Sequence, residues 1–357
     1  MKALNRKASG DVGTAYEKHV AKKAFIGIVL SLLIILVGLY SLSHGSYGLS
    51  IHGVIDALLG DNNGRASLVI WNIRLPRIIA AVLVGASLAV SGAVLQGILK
   101  NPIATPFTMG ISHGAMFGAS LAILLGAGYA ESSGRIVLDN PYVVVLFAFL
   151  GAITGTAVII ALAKLKGLSP EAMILAGVAM SSLFAAMTTL LQYLASELQL
   201  AAMVYWSFGD LGRATWRENL VMLAVFVPSF LYFLSTAWDL NASTMGDDVA
   251  RSVGVNVERV RLISAFLAAL ITSVGVAFVG IIGFIGLLAP HTIRLIAGGD
   301  YRFLVPLSAL AGAFILLTAD TVAKLAFSPV VLPVGVITSF LGAPMFIYLL
   351  VRMEGRL

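Results

Sequence analysis

Ten apolar runs, most close to 20 residues, divide the chain. They lie near 24–42, 77–97, 107–126, 141–163, 170–194, 219–237, 260–279, 281–297, 303–323 and 333–351. A helix needs roughly 20 mainly apolar residues to cross the hydrocarbon of a bilayer. Spanning β-strands would instead show ten-residue segments of alternating polarity, and runs such as AFIGIVLSLLIILVGLY at 24–40 do not alternate. The pattern predicts an all-α integral membrane protein of about ten spans.

Composition agrees. Apolar residues make up 59% of the 357 positions and charged residues 11%, against about 25% charged in a soluble domain. That balance excludes a cytosolic enzyme, a secreted scaffold and a nucleic-acid-binding module. Cysteine is absent, so there is no disulfide, thiolate metal site or cysteine nucleophile. The net charge of +6 is best explained by membrane topology, because Lys and Arg concentrate on cytoplasmic segments. Residues 1–23 carry Lys2, Arg6, Lys7, Lys18, Lys22 and Lys23. No small-residue cleavage site closes the run that follows, which predicts a cytoplasmic tail and an uncleaved first span. With both termini inside, 16 basic residues fall on the cytoplasmic side and 7, among them Arg65, Arg74, Arg77, Arg135, Arg213 and Arg217, on the other.

Three connecting segments are long: 43–76 and 195–218 on the outer side, and 239–259 on the inner side. Gly110, Gly114 and Gly118, and likewise Gly151 and Gly155, recur at four-residue spacing, which predicts close helix packing in lipid. Gly110-Ile111-Ser112-His113-Gly114 matches the nucleophile-elbow pattern, but lacks the strand-to-helix setting that motif requires. Five histidines, His44 and His52 among them, show no metal-ligand spacing. Asp320 is the clearest charge within a span core, with Lys324 one turn on; such a pair is either a structural ion pair or a docking point. No P-loop exists, since the dipeptide Gly-Lys is absent. A stand-alone ion-coupled secondary transporter and an intramembrane enzyme using Ser112 remain as alternatives to a transporter subunit energised by a partner.

Several segments, taken together, resemble the FecCD-type permeases, membrane subunits of ABC importers for iron–siderophores, haem or vitamin B12. They are IRLPR (73–77) with VGASLAVSGAVLQGILKNPIATP (84–106), LSPEAMILAGVA (168–179), YWSFGDLGRATW (205–216), MGDDVARSVGV (245–255), GFIGLLAPHTIRLIAGGDYRFLVP (283–306), TADTVAKLA (318–326) and LPVGVITSFLGAPMFIYLL (332–350). The resemblance covers about residues 70–355. It implies the type II importer fold over 24–357, a homodimer, two cytoplasmic ATPase subunits that bind ATP and Mg, an extracytoplasmic binding protein and residence in the plasma membrane of a bacterium or archaeon. No cofactor is implied on this chain. Asn101 and Ile103 match the family's cytoplasmic gate, which Pro170 and Glu171 would complete; the vitamin B12 member has small hydroxyl residues at those two positions. Arg74 and Lys324 match residues that dock the binding protein. Gly246, Asp247, Asp248, Ala250, Arg251 and Gly254 match the surface that couples to the ATPase. An iron–siderophore is the favoured cargo, with haem or cobalamin next.

Overall fold

The computed structural model describes residues 2–45, 51–59, 64–126, 141–328 and 330–353. Arg135, Arg356, Gly48 and Gly60 lie outside them. Every regular element among the described residues is helical, and a helix stands at each of the ten apolar runs. They are α1 (Lys2–Ser43), α4 (Leu75–Ile98), α5 (Ile111–Leu124), α6 (Pro141–Lys164), α7 (Pro170–Leu194), α9 (Trp216–Ser235), α12 (Val257–Val279), α13 (Ile285–Ala297), α14 (Tyr301–Leu325) and α15 (Val334–Met353). Between them lie the shorter α2 (Ile51–Leu59), α3 (Arg65–Val69), α8 (Glu197–Ser207), α10 (Ala237–Thr244) and α11 (Asp247–Ser252).

Among the described residues, seven helices are long and apolar enough to cross a membrane, and three apolar ones are shorter. The 13 residues of α13 reach only about 20 Å, against a hydrocarbon thickness of about 30 Å. The runs at 107–126 and 281–297 are therefore part helix and part loop. α5 starts at Gly110 (φ +68°), and the break before α13 contains Gly280 (φ +81°) and Phe284 (φ +66°).

In the opposite direction, helix extends beyond the predicted start at 77. Arg65 to Ile98 is continuous, with one wide turn at Ile70–Arg74. Pro76 explains that turn: it has no N–H to offer the Asn72 carbonyl, and its ring crowds that oxygen, so the helix widens. α1 likewise extends back through the predicted tail to Lys2.

α4 occupies the centre, packed against α12, α13, α14 and α9. Its sequence, LPRIIAAVLVGASLAVSGAVLQGI, is rich in small residues and buried almost throughout. Lipid tails are as apolar as leucine, so helices in a bilayer gain by bringing backbones close. The seams show it. A Cβ on Gly85 would lie 2.4 Å from the Gly312 carbonyl oxygen, and one on Gly92 would lie 1.8 Å from that of Gly286. The glycine ridge expected to pack does so: Gly114 faces Gly151 at 2.5 Å on the same measure, joining α5 to α6. At the rim, α1 turns Phe25, Ile28, Leu32, Ile35 and Leu36 outward, as a lipid-facing helix must. The chain is a multi-span membrane protein.

Candidate functional site

Charged side chains gather at the two ends of the bundle. At the end that the charge bias assigns to the cytoplasm, the segment after α9 forms two short helices, α10 and α11. Gly246 (φ +124°) separates them, and Gly254 (φ +89°) closes the second. Both glycines sit where a side chain would be strained. Asp247 and Asp248 occupy the first turn of α11 and Arg251 its last, each placed to complement the helix dipole. Ala250 is buried against the bundle, whereas the Asp248 carboxylate is fully exposed.

Asp247 is tied inward. It accepts from Arg261 Nη2 at 2.9 Å and 3.2 Å and lies 2.8 Å from Lys100 Nζ. Arg261, in the first turns of α12, is itself buried. Its Nε donates to the Ile98 carbonyl at 3.0 Å, and its Nη1 to the Leu168 carbonyl at 3.0 Å. Burial alone would raise the Asp247 pKa. The hydrogen bonds from Arg261 and Lys100, with their charges, carry it below the ordinary carboxylate range.

The four expected gate residues lie on two segments beside this cluster. Lys100 (φ +49°) precedes Asn101, and Leu168 (φ +53°) lies two residues before Pro170. Asn101 Oδ1 accepts from the Ile103 N–H at 3.1 Å, an Asx turn that leaves the Ile103 side chain about half exposed. Ser169 caps α7, its Oγ accepting from Ala172 N at 3.2 Å. Pro170 is buried at the first helical position, and Glu171 is exposed in the first turn.

The opposite end carries Asp320, which is fully buried. Its main partner is Arg77, which sequence reasoning overlooked: Nε donates to both carboxylate oxygens at 3.0 Å and 3.1 Å, and Nη2 donates to Oδ1 at 2.8 Å. The expected Lys324 contact is present at 3.4 Å. Lys324 also donates to Ser41 Oγ, and Arg77 reaches Asp210 at 3.5 Å. Arg74 is buried and donates to the Leu42 carbonyl. Both expected docking cations thus point inward in this conformation. Arg65 and Arg217 are exposed.

A cleft of about 620 Å³ lies where the α5 approach, the end of α8, the break before α13 and α15 meet. Phe107, Phe208, Phe284 and Phe340 line it, with Ser207 and Ser339 as its hydroxyls and no charged residue. Such a wall offers apolar contact area and two hydroxyls. Ser112 is buried in the first turn of α5, and its Oγ has no hydrogen-bond partner among the described residues. His44 stacks on Tyr40 at 4.1 Å and bonds Ser43 Oγ at 2.9 Å.

Comparison with known proteins bears on this arrangement. The profile of the FecCD transport family matches residues 32–352. A protein of Methanocaldococcus jannaschii, provisionally named an ABC transporter permease, is 59% identical over 347 residues, covering 97% of this chain and 99% of that one. The hemin transport system permease of Yersinia pestis is 38% identical over 337 residues, covering 94% and 98%. Among solved structures, an inward-facing transporter provisionally described as a metal-chelate ABC type superposes with a TM-score of 0.78 at 31% identity, covering 92% of this chain and 99% of that one.

Proposed function

Because the chain belongs to the FecCD transport family, we propose that it is the permease of an ATP-driven importer that admits a metal chelate to the cytoplasm. One observation carries the reading beyond kinship. α10 packs on α4 and α14, and α11 projects from it at the edge of the bundle, with Asp248, Val249, Arg251 and Val253 exposed on a segment whose root is anchored by Asp247. A short amphipathic surface on a fixed root suits a soluble ATPase that must push on the membrane subunit. In this reading two copies of the chain line one path, two ATPase subunits bind ATP and Mg below, and a binding protein delivers cargo above. Asp248 and Arg251, with the turns at Gly246 and Gly254, form the coupling surface, while Asp247 and the buried Ala250 fix it to the bundle. Asn101, Ile103, Pro170 and Glu171 narrow the inner mouth.

The uncharged aromatic cleft suits a chelate whose metal is already wrapped by its ligand. Within that class an iron–siderophore is the first candidate, followed by haem and cobalamin. Reconstitution with a cognate ATPase and binding protein tests the reading. Vesicles should accumulate one of ferric siderophore, haem or cobalamin only when ATP is supplied. Uptake that proceeds without the ATPase would show a secondary transporter instead. A tryptophan at position 254 should separate ATP hydrolysis from uptake.

A further inference from the structure

We propose that Arg261 is the positioning residue that carries a displacement of α11 to both cytoplasmic gate segments at once. The inference rests on the coupling and gate reading above and goes beyond it by naming the connection. Arg261 is 2% exposed, and three of its donors reach three different segments. Nη2 holds Asp247 at the start of α11, Nε holds the Ile98 carbonyl at the end of α4, and Nη1 holds the Leu168 carbonyl ahead of α7. Three residues beyond Ile98 is Asn101, and three beyond Leu168 is Glu171. One planar group therefore touches the root of the coupling helix and the backbones of both gate segments.

The chemistry favours arginine specifically. A guanidinium presents five N–H donors in a rigid fork, so a shift of one partner turns the whole plane and moves the others. An ammonium is a point charge on a flexible stem and cannot hold three acceptors in fixed relation. The contacted carbonyls also lack full helical partners, Ile98 at a helix end and Leu168 in a left-handed turn. Lys100 supplies a second strap: its side chain reaches Asp247 at 2.8 Å, while its backbone, at φ +49°, leads directly into Asn101. Non-glycine residues at positive φ persist only where surrounding contacts hold them, and Lys100 and Leu168 are two of the three among the described residues. Both belong to this cluster.

Distances between spin labels in the complex with the cognate ATPase test the inference. Cysteine pairs are placed at 221 and 249, 221 and 103, and 221 and 171; the chain has no native cysteine to interfere. Each pair is read without nucleotide and with Mg-ATP plus vanadate. In the parent protein all three distances should change. In Arg261→Lys the 221–249 change should persist, while the changes at 103 and 171 should fall to less than half. Asp247→Asn, which leaves Arg261 on its two carbonyls, should reproduce that separation and serves if the arginine variant does not fold. If 103 and 171 move as far as in the parent in either folded variant, Arg261 is not the link. A parent in which 249 stays still overturns the coupling reading and this inference with it. One in which 249 moves but 103 and 171 do not overturns the gate assignment and, again, the link.

Discussion

The Arg77 guanidinium forks onto the Asp320 carboxylate between the outer ends of α4 and α14, with donor–acceptor distances of 2.8 to 3.1 Å. A carboxylate with no exposed surface survives in an apolar bundle only when paired and hydrogen-bonded. Removing one partner of a buried pair typically costs about 3–5 kcal/mol, because the other charge is stranded. Arg77→Met should therefore lower the unfolding temperature in detergent markedly. Lys324→Met should cost less, since Arg77 remains on Asp320. Equal losses in the two variants would contradict this ranking.

Docking of the binding protein gives a second expectation. Arg74 and Lys324 are engaged within the chain here, so a docking role requires them to exchange internal partners for external carboxylates. Reversing either charge should weaken binding-protein affinity and flatten its dependence on salt, as interfacial ion pairs do. Lys324→Glu should also lose stability, because it sets a second carboxylate beside Asp320. Wild-type affinity and salt dependence in both folded variants would remove these residues from the docking surface.

The proposed inner gate supplies a third. Glu171 is exposed at the start of α7, free to face its counterpart if α7 lines a dimer axis. Two like charges so placed repel, favouring a parted gate. Cysteines introduced at 171 should cross-link across the dimer in at least one nucleotide state. No cross-link in any state would place Glu171 away from the axis.

A fourth concerns acid. Asp300 caps α14, accepting from Arg302 N at 3.1 Å, and joins α10 through Asn241 Nδ2 at 2.9 Å. Burial opposes ionisation, but these hydrogen bonds and the Arg302 charge hold its pKa at about 2, against 3.8 ordinarily. The folded value is the lower, so its stabilising contribution is present above about pH 4 and is lost as pH falls toward 2. Between those values the wild-type unfolding temperature should fall more steeply than that of Asp300→Asn. Parallel slopes would show that ionisation of Asp300 contributes nothing to stability.

The placement of the ten apolar helices was legible because each coincides with an apolar run, though three are shorter than their runs suggested, and the small-residue ridge of α5 and α6 was legible because its four-residue spacing is local. What escaped was determined at long range. Asp320 invited a partner, and Lys324 was the visible one at helical spacing, whereas the closer contact, Arg77, is 243 residues away in the chain. Nothing in the local sequence marks Arg261, and only the fold brings Ile98, Leu168 and Asp247 around it. The wide turn at Ile70–Arg74 had a local signal in Pro76. The break before α13 had a local signal in Gly280, but its extent to Phe284 did not, because apolar residues continue through it.

Backbone meeting backbone at Gly85 with Gly312 and at Gly92 with Gly286 constrains how this subunit can work. Each pair is a notch filled by an oppositely placed carbonyl, as close as 1.8 Å to where a Cβ would stand. Sliding α4 along α13 or α14 would drive a ridge out of its notch and open a void on one side, in a medium where lost contact is the main penalty. These three helices are keyed together like parts of a lock barrel, and whatever motion the cycle requires must turn them as one piece. Probes on α4 and α14 should accordingly report one unchanging separation in every nucleotide state, and the alternation between facing outward and facing inward would belong to the joints around this block, not to its interior.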